Sequence, residues 1–186
     1  LLDEHYGFHP YTTWSNTTFD NAHTLLDEAG FSGRVVRIGV TRAYATRHGA
    51  GPFVTEDPIL TRNIPDMHND TNNWQQQFRV GYFDAVMLRY ALAVVGKIDA
   101  LVITNLDRLQ DFQRWQVCNT YQYAGDIDAT VSFFDTRHSR QITDIKLNQR
   151  PPTLDHQAQL GQHLQKCVPG YESLPANDIT AYITWI

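Results

Sequence analysis

Apolar and polar positions change their period several times along the chain, and each change marks an element. Residues 1–18 are rich in Tyr, Phe, Pro, Thr, Ser and Asn without helical spacing, and read as strand and loop running into the cap-rich stretch Ser15-Asn16-Thr17-Thr18. FDNAHTLLDEA (19–29) has the pattern of a short helix stopped by Gly30. RVVRIGVTRAYAT (34–46) alternates basic and apolar residues with β-branched enrichment, which predicts a strand. RHGAGPF then reads as a glycine-rich turn closed by Pro52, followed by a long polar connection from Glu56 to Gln77.

The second half carries stronger periodicity. YFDAVMLRYALAVV (82–95) places Phe83, Val86, Met87, Tyr90, Ala91 and Val94 on one helical face, with Gly96 as the stop. ALVIT (100–104) is continuously apolar and predicts a buried strand, followed at once by the polar turn Asn105-Leu106-Asp107. Helix, turn, buried strand and polar strand end together predict an α/β fold with a mainly parallel sheet, in which ligands sit at the carboxyl ends of strands. WQVCNTYQYA and DATVSFFD, separated by Gly125-Asp126-Ile127, predict an antiparallel hairpin added to that sheet. The region after Pro151-Pro152 is weakly helical, and PGYESLP reads as a turn. No internal repeat, heptad or low-complexity tract is present.

Composition narrows the function classes. With 186 residues the chain is long enough for one domain to bury a real core. Its net charge of −5 provides no global basic field, which argues against a nucleic acid partner. Two cysteines, Cys118 and Cys167, are too few for a disulfide framework or a Cys-x-x-Cys metal site and read as reduced thiols of a cytoplasmic protein. No apolar run approaches the ~18 to 20 residues that span a bilayer, so no membrane role is expected. The chain opens on Leu1 and closes on the apolar run AYITWI, a pattern that suggests a segment of a longer polypeptide.

Candidate chemistry is scattered. His5 with His9 and His156 with His163 have ligand-like spacings, but no carboxylate completes a motif, and structural roles are the simpler reading. Arg47 before Gly49-Ala50-Gly51 can offer a guanidinium and backbone N–H groups to a phosphate; a tight turn explains the same residues. The hydroxyl and amide cluster from Thr12 to Thr18 suits phosphate binding and helix capping equally. Asp107, at a strand end, is a natural acceptor for the two adjacent N–H donors of a guanine edge.

Taken in order, the motifs resemble one family. LLDEHYGFHPYTTWSNTT is similar to LLDxxxGxxPxVTSSNTT of the adenylosuccinate synthetases, and TRAYATRHGAGPFVTE to their KAYxTRVGxGPFPTE. RVGYFDAVMLRYALAVVGKIDALVITNLDRL resembles RxGWFDxVxLRxAxxxNGxxxLxLTKLDxL, while WQVCNTYQY and CVPGYESLP fall where the family has IKVCxxYxx and PxYExLPGW. The resemblance implies a portion of a P-loop-NTPase-related α/β fold, read as a single domain over 1–186 or as the C-terminal portion of a larger one. It implies a cytoplasmic homodimer that couples aspartate to IMP using GTP and Mg2+. The family's phosphate loop, catalytic aspartate and catalytic histidine belong to its N-terminal half, so no catalytic residue and no metal ligand is expected in this segment.

Residue by residue, the resemblance implies IMP contacts at Thr13, for the phosphate, and at Gln76. It implies GTP contacts at Asn105, Leu106, Asp107 and Arg79, with Asp107 reading the guanine. Gln76 and Phe78 stand where the family has arginines, and Asn105 where it has lysine. A neutral amide cannot make the forked, charge-assisted bonds of a guanidinium, each worth ~1.5 to 3 kcal/mol. Three functions therefore compete: a purine-nucleotide ligase taking aspartate or another amino donor, a catalytically inactive relative that serves as a nucleotide-binding or protein-interaction module, and a stand-alone α/β interaction domain with no nucleotide site.

Overall fold

The structure, a computed structural model, describes residues 3–66, 77–137, 140–148 and 150–175. Gln76 and the terminal apolar run lie outside the described residues. The α/β class expected from the sequence is observed. Helix α1 (Asp20–Glu28) ends where Gly30 takes φ +64°, and Phe31 N donates to Leu26 O at 2.9 Å. The run 34–46 does not form one strand: β1 (Ile38–Arg42) and β2 (Ala45–His48) flank Ala43-Tyr44, two consecutive residues that are both buried. Burying neighbours breaks the alternation of a strand, and the chain changes sheets at that point.

The polar connection holds a helix, α2 (Pro58–Asn63). Asp57 caps it, its side chain accepting from Ile59 N at 2.7 Å and Leu60 N at 2.9 Å, while Pro58 occupies the first turn. β3 (Phe78–Gly81) pairs antiparallel with β2, and the short β4 (Phe83–Asp84) leads into α3 (Ala85–Val95). Val86, Tyr90 and Val94 of α3 are buried as the periodicity requires, and Gly96 at φ +79° closes the helix.

β5 (Ala100–Thr104) pairs in parallel with β1, Val40 opposite Val102. The expectation that β5 is buried is overturned: Ile38, Val40, Ala100 and Val102 share one face and are all exposed, Val40 at 69%. Continuous hydrophobicity signals a strand meant for covering on both faces, and among the described residues nothing covers this one.

The largest sheet is mixed rather than mainly parallel, in the order β4-β6-β8-β7 with β9 also on β6. β6 (Arg114–Tyr123) runs antiparallel to β9 (Cys167–Pro175) along its whole length. PGYESLP is therefore strand and not turn. The expected hairpin is also displaced: residues 128–130 form a 3-10 turn, and the hairpin joins β7 (Phe134–Arg137) to β8 (Gln141–Ile145). Thr130 is buried and its hydroxyl donates to Ile127 O at 2.7 Å, closing the turn locally.

α4 (Leu154–Leu164) starts at Thr153, whose hydroxyl accepts from His156 N. It lays Leu160 and Leu164 into a core with Phe8, Tyr90, Tyr121 and Ile142. A second core gathers Tyr44, Leu60, Val80, Phe83, Leu109 and Trp115. β6 serves both, with Trp115 and Val117 in the second core and Cys118, Tyr121 and Tyr123 in the first, the register shifting between Cys118 and Thr120.

Candidate functional site

The loop that carries Thr13 is fixed from inside. Asp3, fully buried, accepts from His5 N (2.8 Å), Tyr6 N (3.0 Å), Thr17 N (2.6 Å) and the Thr17 hydroxyl (3.1 Å). That closes residues 3–17 into a loop around one carboxylate. Thr13 is exposed at its tip, its hydroxyl sharing a 2.9 Å hydrogen bond with that of Ser15. Asn16 spends its side-chain oxygen on Thr18 N and the Thr18 hydroxyl, so the amide serves the turn into α1.

Beside this loop lies the Gly49-Ala50-Gly51 turn, with Gly49 at φ +69° and Gly51 at φ +110°. Arg47 and Arg79 face each other across the β2–β3 ladder behind it. Arg79 pairs with Glu56 at 2.5 Å, donates to Gly49 O at 2.7 Å and Gly51 O at 3.1 Å, and lies 5.4 Å from the centre of the Phe53 ring. Arg47, 5% exposed, donates to Ala50 O and Tyr11 O, each at 3.0 Å. Burial first, and then the neighbouring Arg79 charge, lower Arg47 to about 10, which leaves it charged at neutral pH. The guanidinium thus points into the turn's carbonyls, and the tight-turn reading of RHGAGPF holds over the phosphate-cradle reading.

Thr13 and Arg79 therefore belong to one neighbourhood, while Asn105, Leu106 and Asp107 occupy the end of β5. Asn105 takes the left-handed conformation, φ +61°, and starts a 3-10 turn over 106–109. Leu109 is fully buried and Leu106 packs against the second core, which turns Asp107 outward. Asp107 lines an open cavity of about 420 Å³ with Asn63, Arg108, Asp111 and Phe112. Arg108 donates to Pro65 O at 2.7 Å. Among the described residues nothing donates to the Asp107 carboxylate, so both its oxygens are available to a ligand. Phe78 lies partly buried against the same core, edge-on to His48 with ring centres 4.9 Å apart.

Sequence reasoning missed Asp84. Its carboxylate caps α3, accepting from Met87 N at 2.9 Å, and also accepts from the Tyr121 hydroxyl at 2.7 and 2.8 Å. Burial raises it to about 6, against the opposing pull of those two hydrogen bonds. It borders a cavity of about 750 Å³ between β1 and α3, whose walls include Val40, Leu88 and Leu92. An Asp just before a helical apolar face was the available signal. Two histidines of α4 pack among aromatic side chains: His156 stacks on Phe133 at 4.7 Å, and His163 Nδ1 meets the Tyr123 hydroxyl at 2.7 Å. Burial lowers the pKa of both. Cys118 and Cys167 are buried free thiols, both raised by burial.

A parallel strand pair and a mixed sheet packed with helices place the chain in the α/β class, with the hydroxyl-rich loop and the Asp107 carboxylate exposed on it. The adenylosuccinate synthetase family model matches residues 1–185, and the chain belongs to that family. The adenylosuccinate synthetase of Geotalea uraniireducens is 33% identical over 188 residues, covering 97% of this chain and 36% of the relative. That of the Wolbachia of Brugia malayi is 36% identical over 131 residues, covering 68% of this chain and 29% of the relative. The chain thus spans about a third of the length of the relatives it matches. The fully ligated adenylosuccinate synthetase of Plasmodium falciparum shares the fold, with a TM-score of 0.61 at 21% identity, over 97% of this chain and 38% of that one.

Proposed function

We propose that this chain supplies the IMP-phosphate and guanine-binding part of a GTP-dependent purine-nucleotide ligase of the adenylosuccinate synthetase type. The reaction is chemically coherent. The 6-oxygen of IMP is a poor leaving group until the γ-phosphoryl of GTP is transferred to it; the amine of aspartate then attacks C6, the C–O bond breaks, and phosphate departs with the oxygen. Positioning and neutralisation of charge carry most of such catalysis.

The observation that carries the reading is the free carboxylate of Asp107, held outward on a turn anchored by Leu109. It can accept the N1–H and N2–H of guanine together, an arrangement that adenine cannot supply. Asn105 and Leu106 shape that turn. The Thr13 hydroxyl is the proposed donor to the IMP phosphate, with Gln76 as a further IMP contact. Arg79, committed to Glu56 and the glycine turn, serves the GTP side through that turn. The described residues hold no cluster of three His, Cys, Asp or Glu side chains able to hold a metal ion. No step is derived through the Mg2+ that the family implies. None of the described helices is long and apolar enough to cross a membrane. The family resemblance alone is the ground for proposing a cytoplasmic homodimer.

Phe78 favours a second reading. Where the resemblance puts a guanidinium, a partly buried ring packs against the core, a lost charged donor that favours a catalytically inactive relative serving as a nucleotide-binding or protein-interaction module. Two measurements separate the readings. Backbone NMR of the labelled chain should shift at Thr13 with IMP and around Asp107 with GTP; no shift at Asp107 at millimolar GTP sinks the guanine role. GTP-dependent phosphate release, followed with IMP and a panel of amino acids in the full polypeptide, supports the ligase. Binding without release with any amino acid supports the second reading.

A further inference from the structure

A guanidinium at 5% exposure has lost its water, and among the described residues Arg47 has no carboxylate partner to replace it. It also faces Arg79 directly across the β2–β3 ladder, where like charges repel. Besides the Glu56 carboxylate on Arg79, what compensates is a set of four carbonyls drawn from two segments. Arg79 takes Gly49 O and Gly51 O, and Arg47 takes Ala50 O from the same turn. The last carbonyl, Tyr11 O, lies in the other segment, two residues before Thr13.

The turn is built to let the guanidinium through. Gly51 sits at φ +110°, and a Cβ there would run into the Arg47 guanidinium and come within 2.7 Å of the Tyr11 Cβ. Only glycine leaves that passage open. Tyr11 N donates to Phe8 O and Ser15 N to Thr13 O, each at 2.8 Å, so the segment that Arg47 grips is the one that orders Thr13.

We propose that Arg47 is a positioning residue, which holds the Thr13 loop against the Gly49–Gly51 turn so that the Thr13 hydroxyl meets the phosphate of IMP. The proposal rests on the reading of Thr13 as the phosphate contact. Arg47 itself does not touch the nucleotide. Two bonds from one rigid fork, aimed at carbonyls on two segments, fix their separation; an ammonium on a flexible stem cannot reproduce that geometry.

The test compares the wild-type chain with Arg47→Lys and Gly51→Ala, by NMR titration with IMP and with GTP and by amide hydrogen exchange. In both variants the Kd for IMP should rise at least tenfold, and exchange at Tyr11 and Ser15 should quicken while that of Leu160 in α4 does not; in Arg47→Lys, which leaves Gly51 and its bond to Arg79 in place, the Kd for GTP should stay within twofold. Gly51→Ala keeps the arginine and displaces it, so it carries the test if Arg47→Lys does not fold. Wild-type IMP affinity in the variants overturns the proposal, as does equal loss for IMP and GTP in Arg47→Lys or unchanged exchange at Tyr11 and Ser15. A wild-type chain that binds no IMP at Thr13 overturns instead the underlying reading of Thr13, and is seen before any variant is made.

Discussion

The Tyr121 hydroxyl donates to both carboxylate oxygens of Asp84, at 2.7 and 2.8 Å, and so joins the N-terminus of α3 to the middle of β6. Asp84 is raised from 3.8 to about 6, chiefly because its surroundings disfavour the charged form. A raised carboxyl contributes stability that is complete below the unfolded value and lost as pH rises through the folded one. Stability should therefore fall between about pH 4 and pH 6 by an amount on the order of 2 to 3 kcal/mol from this group. Denaturant unfolding across that range should show the slope, and Asp84→Asn should remove it while keeping the helix cap. Tyr121→Phe should move the slope to higher pH, because the hydroxyl favours the carboxylate.

Asp107→Asn tests the reader of the base. The carboxamide keeps one acceptor and presents donors to the guanine N–H groups, so GTP affinity should drop tenfold or more while ATP affinity, already weak, changes little. Titration calorimetry with both nucleotides checks it, and equal losses would contradict the role. Asp107 is exposed, so unfolding free energy should stay within about 0.5 kcal/mol.

Asp57→Ala removes the oxygen that accepts from Ile59 N and Leu60 N at the start of α2. The expected cost is about 1 kcal/mol, read by urea unfolding. Asp57→Ser should recover most of it.

Val40 lies on the exposed face that β1 and β5 present. Val40→Thr should alter the unfolding free energy of this chain by less than about 0.5 kcal/mol. A loss near the ~1.5 kcal/mol or more of a buried valine would show that the face is covered.

Leu160→Ala, by contrast, empties a site where α4 meets Phe8 and Tyr90 in the core. Its cost should be about 2 to 5 kcal/mol, measured by the same unfolding experiment.

Much of the fold was legible in local signals. Gly30 and Gly96 stop helices because both hold positive φ, a property of the residue type that any reading can use. The face Val86, Tyr90 and Val94 follows from the helical period alone. The turn at Gly49–Gly51 was legible too. Helix α2 could have been found from Asp57-Pro58, a cap followed by a first-turn proline, had the polar composition around it not argued for a loop.

What the sequence by itself determined, then, were the stops, the helical faces, the α/β class and the family to which the motifs belong, because each is written in neighbouring residues. Tertiary structure decided the rest. The hairpin expected over 115–135 pairs other strands, because β6 finds its longest partner in β9, some 50 residues further along the chain. Arg47, which the sequence left between a phosphate contact and a tight turn, became a buried staple, because the carbonyls that hold it come from Tyr11 and Ala50, segments that meet only when the chain has folded. Asp84 acquired its raised pKa from burial under segments distant in sequence, against the opposing pull of the hydrogen bonds from Met87 N and the Tyr121 hydroxyl. Hydrogen bonding and burial depend on distance in space, and that is the quantity a linear pattern does not contain.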